Sequence, residues 1–84
     1  MIHREEVERY PGTLSELAGD VGNLRYDALA TFLVALSAKL ESDGIADKDR
    51  DRPKLASALA KSAEAIKGAA IEIERAWSIC APHM

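Results

Sequence analysis

Apolar residues recur along the first half of the chain at the spacing of an α-helix. Thr13 and Glu16 stand three positions apart after a Pro-Gly turn, which is the arrangement of a capping box at a helix N-terminus. The pattern predicts a first helix over residues 13–43, ended by Gly44 as a left-handed C-cap. Its apolar stripe contains Leu14, Leu17, Val21, Leu24, Ala28, Phe32, Ala35 and Leu36, widened by Leu29, Leu33 and Leu40.

The second half of the chain predicts another helix over residues 51–81. Asp51 is a suitable N-cap, and Pro53 is tolerated in a first helical turn because its missing N–H would be unpaired there. Residues 44–50 then form a short charged loop, and residues 1–12 form an N-terminal arm or short helix. The second stripe alternates spacings of four and three: Leu55, Leu59, Ser62, Ile66, Ala69, Ile73, Ala76 or Trp77, and Cys80.

Two helices of matched length on a short loop predict an antiparallel hairpin. The fold class is therefore all-α, with one domain over residues 1–84. Residues whose numbers add up to about 94 are expected to face each other, since helices 13–43 and 51–81 meet at the loop. We expect Gly19, Gly22 and Gly68 to allow close packing, because a mid-helix glycine costs ~1 kcal/mol relative to alanine.

The apolar surface exceeds what two helices can bury against each other. A second copy of the hairpin would cover the surplus, which predicts a homodimer in the form of a four-helix bundle. The alternative is a monomer in which the N-terminal arm completes a three-helix bundle. The expected interface residues are Leu29, Phe32, Leu33, Leu36, Leu40, Ile66, Ile73 and Trp77.

Composition indicates the cellular location of the protein. Cys80 is the only cysteine, so no disulfide can form within one chain, which fits a reducing cytoplasm. The N-terminus has no apolar leader segment, and the longest apolar run, residues 28–36, is far shorter than the ~20 residues of a membrane span. We therefore expect a cytoplasmic protein without a membrane partner.

The charges argue against nucleic acid as a partner. The net charge is −3 and the two signs are interspersed, whereas a nucleic-acid footprint clusters basic residues on one face. A nucleic-acid-binding regulator remains an alternative through the basic residues of the second helix. These are Lys54, Lys61, Lys67 and Arg75, interrupted by Glu64, Glu72 and Glu74.

Arg25 falls within the first apolar stripe, where a buried guanidinium needs an anionic partner. One interpretation is an ion pair with Glu72 or Glu74 that fixes the helix register. The other is a small anionic ligand bound in the bundle by Arg25, Tyr26 and Lys39.

Metal ligands are few. Cys80 and His83 have a zinc-like spacing, and His3 is a third weak candidate, but a structural zinc site uses four ligands. The calcium-loop pattern requires a glycine and a distal glutamate that the sequence lacks. Its only matching positions are Asp47, Asp49 and Asp51. We expect no metal and no cofactor.

Catalytic patterns are absent from the sequence as well: neither long helix contains histidine, and no glycine-rich phosphate loop stands out. We therefore expect a non-enzymatic protein-interaction module that acts as a homodimeric helical bundle. Its role would be that of an adaptor, a chaperone-like factor or a regulatory subunit that binds another protein.

Overall fold

The computed structural model describes residues 3–83, and within this range it is all-helical. Helix α1 spans Leu14–Gly22, α2 spans Tyr26–Asp49 and α3 spans Pro53–Cys80, followed by a 3-10 turn at Ala81–His83. Helices α2 and α3 pack against each other, whereas α1 has no comparable packing with either. The all-α prediction is confirmed; the first two residues of the predicted arm lie outside the described residues.

The predicted capping box begins α1. The Thr13 N–H donates to the Glu16 carboxylate at 3.0 Å, and the Glu16 N–H donates to the Thr13 hydroxyl oxygen at 3.1 Å. These bonds satisfy two backbone donors that have no partner within the helix. They also hold the pKa of Glu16 below its ordinary value, with the backbone bond at Thr13 as the main cause.

The prediction of one continuous helix over residues 13–43 is wrong. The helix is interrupted at residues 23–25, where the Asn23 N–H donates to the carbonyls of Gly19 and Asp20. Glycine and asparagine have low helix propensity, so Gly22-Asn23 favours an end to α1. Asp27 lies in the first turn of α2, where a carboxylate favours the positive end of the helix.

The predicted loop over residues 44–50 is also wrong, because α2 continues to Asp49. The turn follows Arg50: the Asp51 N–H donates to the Lys48 carbonyl and the Arg52 N–H to the Asp47 carbonyl. Asp51 has a φ of 59°, so Asp51, and not Gly44 as predicted, adopts the left-handed conformation at the end of the helix. Aspartate tolerates this conformation better than most residues, which lets the helix end there without glycine.

The α2–α3 contact is a seam with a seven-residue repeat. Small residues recur at Ala30, Ser37 and Gly44 on α2 and at Ala56, Ala63 and Ala70 on α3. The buried Ser37 hydroxyl donates to the Ala63 carbonyl at 2.8 Å. Facing residues therefore add up to about 100, not 94, because the turn lies several residues later than predicted. The seam has the spacing of a left-handed antiparallel coiled coil.

The predicted stripes are only partly correct. Leu59, Ile66 and Ile73 are half-buried as expected, but the buried positions between them are Ala63 and Ala70, one residue after the predicted Ser62 and Ala69. On α2 the main stripe is exposed at Ala28, Phe32, Ala35 and Leu36, whereas the residues predicted to widen it are half-buried: Leu29, Leu33 and Leu40. The break at residues 23–25 explains the error. Because α1 and α2 are separate helices, the apolar periodicity of α1 does not continue into α2 and cannot identify the side of α2 that faces α3.

Gly44 is the glycine that the packing requires. A Cβ at this position would lie 3.4 Å from the Ala56 carbonyl oxygen, so α2 and α3 approach closely here. The expectation for Gly19, Gly22 and Gly68 is wrong, since a Cβ there would meet nothing within 4 Å.

The chain forms a thin slab of 50 × 29 × 14 Å. Its buried apolar residues are three alanines, Ala30, Ala63 and Ala70, and in the range 3–83 no large side chain is fully buried. None of the described helices is both long and apolar enough to cross a membrane. One layer of helices thus leaves both sides of the seam open, and these two sides contain the candidate sites.

Candidate interaction surfaces

One side of the slab, which we call the leucine face, carries an apolar stripe from each long helix. On α2 the stripe is Leu29, Phe32, Leu36 and Leu40, and on α3 it is Leu55, Ala58, Ser62, Ala65 and Ala69. Both stripes have the three- and four-residue spacings that place side chains on one side of a helix. Leu40 and Leu55 line one cavity of about 510 Å³ near the turn, so the two stripes open on the same side.

The opposite side, which we call the groove face, has an apolar groove of about 360 Å³ near the turn. Gly44 and Ala56 lie in the seam below it. Ile45 projects from its wall and is 59% exposed. The remaining lining residues are Glu41, Lys48, Pro53, Ser57 and Ala60.

This groove does not follow from the sequence pattern, because a loop over residues 44–50 would leave Ile45 and Lys48 on no helix face. The seven-residue spacing of Ala30, Ser37 and Gly44 was the signal that α2 continues beyond Gly44, since a buried repeat implies a continuing seam.

The predicted interface residues divide into two groups. Phe32 and Leu36 are 42% and 37% exposed on the leucine face, beside the half-buried Leu29. The other five lie half-buried and are Leu33, Leu40, Ile66, Ile73 and Trp77. Four of these five belong to the seam within one chain or to its extension toward the open end. The fifth, Leu40, lies between the seam and the leucine face. Phe32 and Leu36 are therefore the most accessible of the predicted interface residues.

Arg25 does not lie in the core and forms no ion pair with Glu72 or Glu74. It precedes α2, its side chain is 61% exposed, and its guanidinium lies 5.3 Å from the centre of the Trp77 ring. Two nitrogens bind the Asp27 carboxylate at 2.6 and 2.8 Å. These bonds lower the pKa of Asp27 and raise the pKa of Arg25. The later turn explains the difference from prediction, because it moves Trp77, not Glu72, beside Arg25.

The three predicted ligand-binding residues do not converge. Tyr26 follows Arg25 and lines a cavity of about 300 Å³ with Trp77 and Cys80. Lys39 lies thirteen residues further along α2, which is about 20 Å at 1.5 Å per residue. It binds the Asp43 carboxylate at 2.6 and 2.7 Å. Arg25 and Lys39 therefore each already have a carboxylate partner nearby in the sequence, Asp27 and Asp43.

The weak metal candidates are separated by the length of the hairpin. His3 lines the cavity near the turn with Arg50 and Arg52, whereas Cys80 lies at the open end beside Tyr26. Positions 55 and 80 of α3 are about 37 Å apart along the helix. His3 therefore cannot share an ion with Cys80 and His83. Across residues 3–83, no three histidine, cysteine or carboxylate side chains are grouped closely enough to hold a metal ion.

Of the three aspartates near the turn, Asp47 is engaged with cations of the chain itself. The Asp47 carboxylate is nearly buried and lies 3.7 Å from an Arg50 nitrogen and 3.6 Å from an Arg52 nitrogen. Asp51 occupies the left-handed position of the turn. This geometry explains the alternating charges as a turn that closes α2 onto α3.

Comparison of the chain with protein-family models, curated proteins and solved structures finds no match. Inference about its function therefore rests on the two faces of the slab.

The N-terminal arm packs onto α1 and forms no helix between residues 3 and 13. The Tyr10 hydroxyl donates to the Asp20 carboxylate, which raises the pKa of Tyr10. Gly12 lies under the Tyr10 ring, where a Cβ would come within 2.8 Å of a ring carbon. The arm is thus held to α1 at Tyr10, while His3 at its other end lines the cavity near the turn, and Phe32 and Leu36 stay exposed.

Proposed function

We propose that the protein is a non-enzymatic interaction module that acts as a homodimer. The leucine faces of two copies pack together into a four-helix bundle, and the groove faces remain outward to bind another protein. The role is that of an adaptor, a chaperone-like factor or a regulatory subunit.

The accessible area of the chain carries this proposal. A compact monomer of 9.1 kDa exposes about 4,900 Å² on the general scaling of protein surface with mass. This chain exposes 6774 Å², an excess of roughly 1,900 Å². The excess is larger than the ~800 Å² that each partner buries in a standard interface, so one such interface fits within it.

The chemistry of the exposed surface supports the same proposal. Among the described residues, eleven large apolar side chains are between 37% and 68% exposed, while the buried apolar core consists of three alanines. Alanine burial contributes little hydrophobic free energy, because that free energy scales with the apolar area removed from water at roughly 25 cal/mol per Å². Pairing of the leucine faces would bury Phe32 and Leu36 between two layers of helices. It would thereby supply the core of large apolar side chains that a single layer does not have.

The groove face supports the interaction role. In the proposed bundle Ile45 and the apolar groove beside it stay accessible, with Glu41 and Lys48 at the rim. An apolar side chain of a partner fits such a groove. The two charged residues at the rim match the polar rim that surrounds the apolar centre of protein interfaces in general. The anion-binding alternative has no comparable support, because Arg25 and Lys39 are each paired with a carboxylate.

Sedimentation equilibrium of matched variants tests the dimer. Wild type should sediment at twice 9.1 kDa. Leu36→Glu should sediment as a monomer, because it places a charge in the paired leucine faces. Val34→Glu is the matched control: Val34 is 46% exposed but lies on the groove side of α2, so this variant should remain a dimer. A wild-type monomer at 100 µM, or equal masses for the two variants, would refute the proposal.

Affinity capture tests the interaction role separately. Immobilised wild type should retain specific proteins from a lysate of the source cells. Ile45→Glu should lose them, while Ile79→Glu, at a site 68% exposed outside the groove, should keep them. If wild type and Ile45→Glu retain the same proteins, the groove is not the binding site.

A further inference from the structure

We propose that α2 of each chain packs against α3 of the other copy, so that both turns lie at the same end of the bundle. This inference rests on the proposed function, because it specifies which surfaces of the same homodimer meet.

Two arrangements bring the leucine faces together about a two-fold axis with neighbouring helices antiparallel. If the axis runs along the helices, α2 lies over α3 of the second copy, and the two turns are adjacent. If the axis runs across the helices, α2 lies over α2 and α3 over α3, and the turns are at opposite ends.

Side-chain size distinguishes the two arrangements. On α2 the leucine face carries large side chains, of which Phe32 and Leu36 are the most exposed. On α3 the same face carries one large residue, Leu55, near the turn, and then Ala58, Ser62, Ala65 and Ala69, all exposed and all small. One helix thus supplies knobs, and the other supplies the space for them.

The hairpin register places knobs and spaces at matching heights. The Ser37–Ala63 hydrogen bond shows that facing positions add up to about 100. An axis along the helices preserves height, so Leu36 lies level with position 64 of the second copy, between Ser62 and Ala65. Phe32 lies level with position 68, between Ala65 and Ala69. Each large side chain therefore meets two small ones.

The other arrangement pairs large with large and small with small. Phe32 and Leu36 would face the large side chains on α2 of the second copy, which would force the α2 helices apart. The α3 helices would then be held too far apart for their alanines to meet, and voids and overpacking are both unfavourable in a close-packed core. The packing therefore favours α2 on α3.

Pulsed electron–electron distance measurement tests the arrangement in the full chain. A nitroxide is attached to Asp49→Cys, at the exposed C-terminal residue of α2, in a Cys80→Ser background. With both turns at one end, the labels should lie within about 30 Å, since packed helices are ~10 Å apart and each label extends outward. With turns at opposite ends, the 24 residues of α2 add about 36 Å along the axis, for a distance above ~40 Å.

Each result decides one question. A distance below about 30 Å supports the arrangement, and a label on Ser78→Cys near the open end should also give a distance well below the helix length. A distance above ~40 Å overturns the arrangement and keeps the dimer. Absence of dipolar coupling, with a monomeric mass in sedimentation, overturns the homodimer itself. Unlabelled Cys80→Ser must match the wild-type mass as the control.

Discussion

Substitution of Gly44 tests the close approach of α2 and α3. A Cβ built at Gly44 lies 3.4 Å from the Ala56 carbonyl oxygen, 3.4 Å from the Leu59 Cβ and 3.6 Å from the Ala60 nitrogen. These separations are ordinary van der Waals contacts at their short limit, so alanine fits without displacing the backbone. A larger side chain does not fit, because the space behind the Cβ is occupied by α3.

The expected effects follow from helix propensity and packing. Gly44→Ala gains the ~1 kcal/mol that separates alanine from glycine in a helix interior, reduced by the tight contact to about 0.5–1 kcal/mol. Gly44→Leu has no room and should lower the free energy of unfolding by roughly 1–3 kcal/mol. For a domain of this size, each kcal/mol shifts Tm by about 4–8 °C.

Thermal unfolding followed by circular dichroism, at one protein concentration, measures both effects. Gly68→Ala is the matched control, because it changes the same residue type within a long helix and its Cβ meets nothing within 4 Å. A Gly44→Ala protein that is less stable than wild type by more than ~1 kcal/mol, while Gly68→Ala is more stable, would show that the helices are closer than described. Tolerance of Gly44→Leu would mean that α2 ends at Gly44, and would refute the seam.

Three further substitutions address the seam, the turn and the start of α2. Ser37→Ala removes a buried hydrogen bond and should cost about 1 kcal/mol in urea unfolding. Asp51→Gly should raise stability by up to ~1 kcal/mol, because glycine adopts a φ of 59° without a Cβ penalty. Asp27→Asn should be less stable than wild type at neutral pH. Because the pKa of Asp27 is below its ordinary 3.8 when folded, this difference is present above pH 3.8 and is lost as the pH falls through the folded pKa.

Each of these has a control and a contrary outcome. Ser78→Ala removes an exposed hydrogen bond to a backbone carbonyl and should have little effect; an equal loss for both serines would contradict burial at Ser37. Asp51→Val should destabilise, and a stable Asp51→Val protein would mean that the turn is built differently. The effect of Asp27→Asn should vanish in an Arg25→Met background, and its persistence there would assign the effect to the helix end instead.

Of the two candidate surfaces, the leucine face was predictable from the sequence and the groove face was not. Phe32 and Leu36 are exposed as a surplus of apolar residues implies, because two helices cannot bury more than one stripe each. The groove face is not predictable when Gly44 is interpreted as a helix end. Glycine signals both a left-handed turn and a close approach of two backbones, and only the position of the facing helix separates these meanings.

The position of Arg25 illustrates the same limit. The prediction that Arg25 lies in the apolar stripe required residues 13–43 to form one helix. Two weak helix formers, Gly22 and Asn23, interrupt that helix. Once α2 begins at Tyr26, the nearest carboxylate is Asp27, two residues away. A local partner of this kind costs little chain entropy, so it is formed in preference to a distant glutamate.

The sequence by itself determined the helical class and the capping box at Thr13, because these depend on residues within a turn or two of one another. It also indicated the pairing of two long helices, because each helix carries an apolar stripe that needs a cover. The tertiary structure alone decided the register of about 100, the continuation of α2 through Gly44 and the separation of the leucine and groove faces. These features depend on how closely two backbones approach, and that distance is set by which small residues meet across the seam.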